Sequence, residues 1–162
     1  MNENLPQRPP NMYNIVERNR EDYEHGEAPL APRPLDAAAF QREMQNGVLV
    51  IDTRSPQAFC EGHIPGALHV DLHGSAFPTR VGFVAAPDSR LLLVVNNEND
   101  LHEAITELAV VGYDRVTGYL AGDMAAWQEA GLEVQTLHAM PVEELHTLRP
   151  YLHVLDVRDQ GE

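Results

Sequence analysis

Asn96, Asn97, Glu98, Asn99 and Asp100 are five polar residues in a row, set between an apolar run and a helical pattern, and this is where the chain would keep a ligand site. Leu91, Leu92, Leu93, Val94 and Val95 before them have the composition of a strand buried on both faces of a parallel sheet. After them, Leu101, Ala104, Ile105, Leu108 and Val111 recur at helical spacing, and Gly112 supplies a left-handed stop. A strand feeding a helix through a short polar loop sets that loop at the carboxyl edge of the sheet, the ligand side of open α/β folds. A helix N-terminus there attracts anions, but Glu98 and Asp100, with Glu103 a turn further on, already occupy that field. The loop has no cysteine, serine, histidine, lysine or arginine, so it offers neither nucleophile nor cation. The chemistry open to it is binding, with a preference for a cation or a neutral amide.

Other reactive side chains are scattered. Cys60, the single cysteine, stands beside acidic Glu61 and away from the polar loop, so its thiol lacks the electropositive setting that makes a thiolate; it reads as an ordinary packing residue. Asp52 and Arg54 close an apolar run and read as an ion pair that fixes the following turn. His63 reads as a hydrogen-bonded structural imidazole. The eight histidines form no recognised ligand spacing, and the four-residue step from His69 to His73 spans a strand end and a loop, so no metal site and no cofactor are expected.

The elements that must hold these residues alternate strand and helix. A helix is expected from Leu35 to Gln45, a strand from Val48 to Asp52, a turn and short helix from Thr53 to Glu61, and a strand from Ala67 to Val70. Asp71 to Arg90 is a long connection, in which Phe77, Arg80, Phe83 and Val84 are candidates for contact with a neighbour. A strand at Arg115 to Tyr119, a helix at Asp123 to Glu129 carrying a core Trp127, and a last strand at Glu133 to Leu137 complete the pattern. Such alternation predicts a parallel sheet with helices on both faces. Residues 1–34 are Pro-rich and read as an arm or linker, with a short amphipathic helix over Asn14 to Glu21.

The chain has 162 residues, enough for one domain with appendages, and its 25 acidic against 11 basic residues give a formal net charge of -14. That charge argues against nucleic acid or an anionic membrane as partner. No apolar run approaches the roughly 20 residues of a membrane span, and no signal-peptide layout opens the chain; with one cysteine, a cytoplasmic setting is expected. Val50-Ile51-Asp52-Thr53-Arg54 returns as Val154-Leu155-Asp156-Val157-Arg158, each copy preceded by a helix with proline at its mouth, Pro34 and Pro141. Residues 139–162 therefore read as the start of a second unit. The strand expected at Tyr151 to Val157 would expose pairing edges, a possible route to a homodimer through this tail.

Ile51-Asp52-Thr53-Arg54, then Phe59 and Gly62-His63-Ile64-Pro65-Gly66-Ala67, resemble the opening of a rhodanese (sulfurtransferase) domain. Gly112-Tyr113, Leu120-Ala121-Gly122, Ala126-Trp127 and Ala130-Gly131-Leu132 resemble its closing signature. The resemblance implies an α/β three-layer sandwich with a five-stranded parallel sheet over residues 35–138. It also implies a persulfide-carrying cysteine just after the central strand, a position that falls here on Asn96 or Asn97, and a structural role for His63. The Pro-rich start and the broken second copy further resemble metallo-β-lactamase-fold proteins fused to two rhodanese domains, a class similar to persulfide dioxygenases. That would make residues 1–34 the remnant of a preceding hydrolase domain, and the partners a metallo-β-lactamase-fold domain or a further rhodanese-like domain. The leading expectation is a non-catalytic structural or regulatory module, since an asparagine cannot become a thiolate. The alternatives are a sulfurtransferase that uses Cys60 and a small-ligand module at Asn96 to Asp100.

Overall fold

The computed structural model describes residues 31–153. Five parallel strands, β1 (Arg33–Leu35), β2 (Leu49–Asp52), β3 (Leu68–His69), β4 (Leu91–Val94) and β5 (Val116–Leu120), form one sheet in the order β1-β5-β4-β2-β3. Between and after them run α1 (Ala37–Gln45), α2 (Pro56–Glu61), α3 (Phe77–Val84), α4 (Glu98–Val110), α5 (Asp123–Glu129) and α6 (Val142–Leu148), followed by a 3-10 turn at Arg149–Tyr151. From β2 the chain visits β3 on one side and then returns to β4 on the other. The carboxyl ends of the central strands thus meet where the winding reverses. Among the described residues no helix is long and apolar enough to cross a membrane.

Strand β4 is apolar throughout because both of its faces are covered. Leu91 and Leu93 face one core with Ile51, Phe77, Val81 and Leu108; Leu92 and Val94 face another with Phe40, Val50, Ile64 and Trp127. Trp127 packs edge-on to Phe40 with centroids 6.1 Å apart, and its indole N–H donates to the Glu133 carbonyl at 2.8 Å, the core role expected of it. Local signals hold at the starts of α1 and α2. Asp36 caps α1 by accepting from the Ala39 N–H at 2.7 Å, and Ser55 caps α2 with Pro56 in its first turn.

The strand count agrees with expectation, but the fifth strand is not the one expected. Glu133 to Leu137 makes only one antiparallel bridge, Gln135 to His63, and no strand. The fifth strand is β1, at residues assigned from sequence to the arm and to the start of the first helix. Pro34 argues against a strand only where both flanks must be paired; β1 is an edge, with one partner, β5. Gly118 opposite Arg33 permits the approach, since a Cβ there would lie 2.8 Å from Leu35 Cδ1 and 3.0 Å from the Arg33 carbonyl.

The Asp71 to Arg90 connection contains helix α3, and its proposed contact residues, Phe77, Arg80, Phe83 and Val84, divide: one of them belongs inside. Phe77 is 1% exposed and belongs to the core, whereas Phe83 and Val84 stand in solvent at 56% and 45%. Tyr151 lies in the 3-10 turn and Leu152 and His153 in no strand, where a strand was expected; Val154 to Val157, like the helix expected at Asn14 to Glu21, fall outside the described residues.

Tyr113 is buried, and its hydroxyl donates to the Ala85 carbonyl at 2.7 Å, tying α4's exit to the end of α3. Burial raises this hydroxyl above its ordinary value of 10.0. The folded chain therefore keeps the proton at pH values where the unfolded chain has lost it. The stabilisation is complete below the unfolded value and declines as pH rises through the folded one. Tyr113→Phe should cost about 1–2 kcal/mol near neutrality and flatten that alkaline decline. Urea unfolding of both proteins at about pH 8 and about pH 11 checks the two parts.

Candidate functional site

Two groups of residues occupy the carboxyl edge of the sheet. One sits after β2. There the Asp52 carboxylate is fully buried and takes the Arg54 guanidinium through Nε at 2.9 Å and Nη2 at 2.7 Å, while the Arg54 backbone N–H donates to the same Asp52 Oδ1 at 3.1 Å. Arg54 Nη2 continues to the Gly62 carbonyl at 2.8 Å, so the pair staples the end of β2 to the loop after α2. His63, in that loop, stacks on Phe59 at 3.9 Å between centroids, and its Nδ1 lies 2.9 Å from the Phe59 carbonyl oxygen. His69 leans on the other side of the same cluster, with Nε2 2.8 Å from the Arg54 carbonyl oxygen and its ring 4.7 Å from that of Phe59. The polar atoms given to Asp52, Arg54 and His63 by these contacts are spent inside the protein.

The second group is the loop after β4. Asn97 is the N-cap of α4: its side-chain oxygen accepts from the Asp100 N–H at 3.0 Å. Glu98, Asn99 and Asp100 thus form the first helical turn rather than a loop, because α4 begins at Glu98. Asn96 Nδ2 donates to Asp100 Oδ2 at 2.9 Å, and Asp100 is buried, whereas Asn96, Asn97, Glu98 and Asn99 are exposed. Sequence reading set His73 aside as a metal ligand and missed its place beside this turn. His73, four residues after β3, brings Nε2 to 3.5 Å from Asp100 Oδ1 and Nδ1 to 3.9 Å from Glu103 Oε1. The only sequence signal for it was a histidine in the loop after a strand that must pair next to β2, a signal too common to single out.

Between the ends of β4 and β5 lies a shallow cup of about 230 Å³, walled by Val95, Asn96, Asn97, Glu98, Leu101 and, across from them, Tyr119 to Asp123. Its far wall is a left-handed turn, Gly122 at φ 76° and Asp123 at φ 53°, where Asp123 Oδ1 accepts from the Ala125 N–H at 2.6 Å. Each helix start facing the cup therefore satisfies one of its own N–H groups with its own side chain, and the acids Glu98 and Asp123 stand on opposite walls. No lysine, arginine or histidine lines it. Such a cup disfavours a small anion and suits a cation or an amide. Cys60 is on α2, partly exposed, and does not line the cup; its carbonyl accepts from the Leu137 N–H at 2.9 Å. Among the described residues no group of histidine, cysteine and carboxylate side chains is arranged to hold a metal.

The family model of the rhodanese-like domain matches residues 36–130. The chain belongs to the rhodanese-like family. Its relatives include the thiosulfate sulfurtransferase GlpE of Pseudomonas entomophila, 34% identical over 95 residues, which cover 59% of this chain and 81% of that protein. GlpE of Pseudomonas putida is 36% identical over 78 residues, 48% of this chain and 68% of that one. Among solved structures, the Alr3790 protein from Anabaena superposes with a TM-score of 0.57 at 17% identity, over 73% of this chain and all of that one. A metallo-beta-lactamase from Staphylococcus aureus superposes equally well, TM-score 0.57 at 20% identity, but the match covers 74% of this chain and only 32% of that protein. These likenesses establish the rhodanese-like α/β fold with its five-stranded parallel sheet.

Proposed function

We propose that this rhodanese-like domain does not transfer sulfur and serves as a structural or regulatory module beside a catalytic partner. One observation carries the reading. The residues that follow β4, where the family resemblance implies a persulfide-carrying cysteine, are Asn96 and Asn97, and both side chains are committed to the start of α4. Sulfur transfer needs a thiolate that attacks a sulfur donor and a cradle that stabilises the anion. An amide supplies neither, and the walls contributed by Glu98 and Asp123 oppose the second. Asp52, Arg54 and His63 act in this reading as supports of the cup's neighbouring loop.

The partner proposed is a metallo-β-lactamase-fold domain or another rhodanese-like domain. In support, the same fold accounts for about a third of the Staphylococcus aureus metallo-beta-lactamase that it matches. Residues 1–34, apart from the strand that opens at Arg33, would then be an arm or the remnant of such a domain, and residues 139–162 the start of a second unit.

Thiosulfate-to-cyanide transfer by the full chain should yield no thiocyanate above that of the Cys60→Ser protein. Steady turnover that Cys60→Ser abolishes would overturn the reading in favour of a sulfurtransferase that works through Cys60. Intact mass after thiosulfate treatment provides the second readout: no added sulfur is expected on the wild-type chain. A thermal shift with small cations or amides, removed by Glu98→Gln, would identify the cup as a ligand site.

A further inference from the structure

The two outer strands of the sheet differ in what they offer a further strand. β1 carries Pro34, which has no backbone N–H, and so discourages added pairing. β3 has no such guard. Its ladder to β2 runs on past the strand itself: Val70 N–H donates to the Asp52 carbonyl at 3.0 Å and Leu72 N–H to the Thr53 carbonyl at 3.1 Å. With Asp52 opposite His69, the alternation of a parallel ladder turns Leu68 and Val70 inward and the His69 N–H and C=O to the open flank. Neither of these two groups has a partner among the described residues.

A groove of about 470 Å³ follows this flank. Its walls come from both faces of the sheet. Val70, Phe83 and Val84 belong to the face that α3 covers, whereas His69 and Pro56 belong to the face of α2, where the His69 ring packs on Phe59. Arg80, on the α3 wall, reaches Ser75 Oγ at 3.4 Å and forms no ion pair among the described residues. Asp71 also lines the groove, and its Oδ1 accepts from the His73 backbone N–H at 3.1 Å. An open main-chain edge recessed between apolar side chains, with a guanidinium that lacks a counter-ion, has the makings of a strand-addition site: the edge supplies main-chain bonds and the walls select alternate side chains.

We propose that the free edge of β3 takes up an extended segment of a partner protein, which pairs its main chain with His69 and lays alternate side chains along the α3 wall. On that face the segment carries an apolar side chain for Val70, Phe83 and Val84 and, two residues away, a carboxylate for Arg80. One acid is what the site takes, because Asp71 and the chain's net charge of -14 oppose more. The contact uses none of the residues that line the cup after β4, and it does not depend on whether the domain transfers sulfur.

The probe is a capped peptide, Thr-Val-Thr-Glu-Thr-Val, which sets valine and glutamate two apart on one face, titrated into the full chain and followed by amide NMR. Saturable shifts should centre on His69, Val70, Arg80 and Phe83, and the His69 amide should exchange more slowly in the complex. Methylating one set of alternate peptide nitrogens should weaken binding by about tenfold or more, while methylating the other set, which faces solvent, should leave it unchanged. Lysine in place of the glutamate should weaken binding to the natural chain, and Arg80→Glu should reverse that preference. Trp127 fluorescence verifies that the variant is folded. No saturation at millimolar peptide overturns the proposal. So do shifts centred away from β3, two methylated sets that bind alike, or a charge preference that Arg80→Glu leaves as it was.

Discussion

Asp52→Ala should lower the unfolding free energy by about 3–5 kcal/mol, a large part of what holds a domain of this size folded. The carboxylate is wholly inside the protein and Arg54 is 7% exposed, so the variant strands a guanidinium in the interior with the Gly62 carbonyl as its remaining recorded partner. The cost comes from that stranded charge more than from the attraction that is lost. An Asp52→Leu/Arg54→Met double variant should therefore be closer in stability to the wild type than Asp52→Ala is. Urea unfolding followed by Trp127 fluorescence measures both. A loss under about 1 kcal/mol in Asp52→Ala would mean that water reaches the pair and that it is no internal staple.

Phe77→Ala should cost about 3–5 kcal/mol, while Phe83→Ala, on the same helix, should stay within about 0.5 kcal/mol. The contrast follows from α3: Phe77 and Val81 belong to the core shared with Leu93 and Leu108, and Phe83 stands in solvent. Equal and small effects would return Phe77 to the surface role that composition alone assigns it. Denaturant midpoints of the two variants separate the outcomes.

Much of the domain was legible in the chain because short-range rules govern it. The apolar run at β4, the three- and four-residue spacing through α4, the stop at Gly112 and the bounds of α5 at Asp123–Glu129 all follow from local pattern. The Asp52 and Arg54 pair was also legible, since two residues that close a buried strand must satisfy each other. What failed was pairing at a distance. Composition placed Pro34 in an arm, but Gly118 and the unpaired flank of β5 make room for a strand there. Likewise Glu133 to Leu137 has a strand's composition and yet finds only the single bridge to His63.

The site divides along the same line. By itself, the sequence determined that the turn after β4 is acidic and carries no thiol, because residue identity and the strand-to-helix transition need no tertiary information. Only the tertiary structure decided what faces that turn: Asp123 across the cup, and His73, from the loop after β3, beside Asp100. It also decided that Phe77 is core while Phe83 is surface, since a helix's inward face is chosen by the sheet it covers and not by its own residues. Spacing along the chain sets local conformation, but the field and packing at a sheet edge are sums over segments that are remote in sequence and meet only when the fold closes.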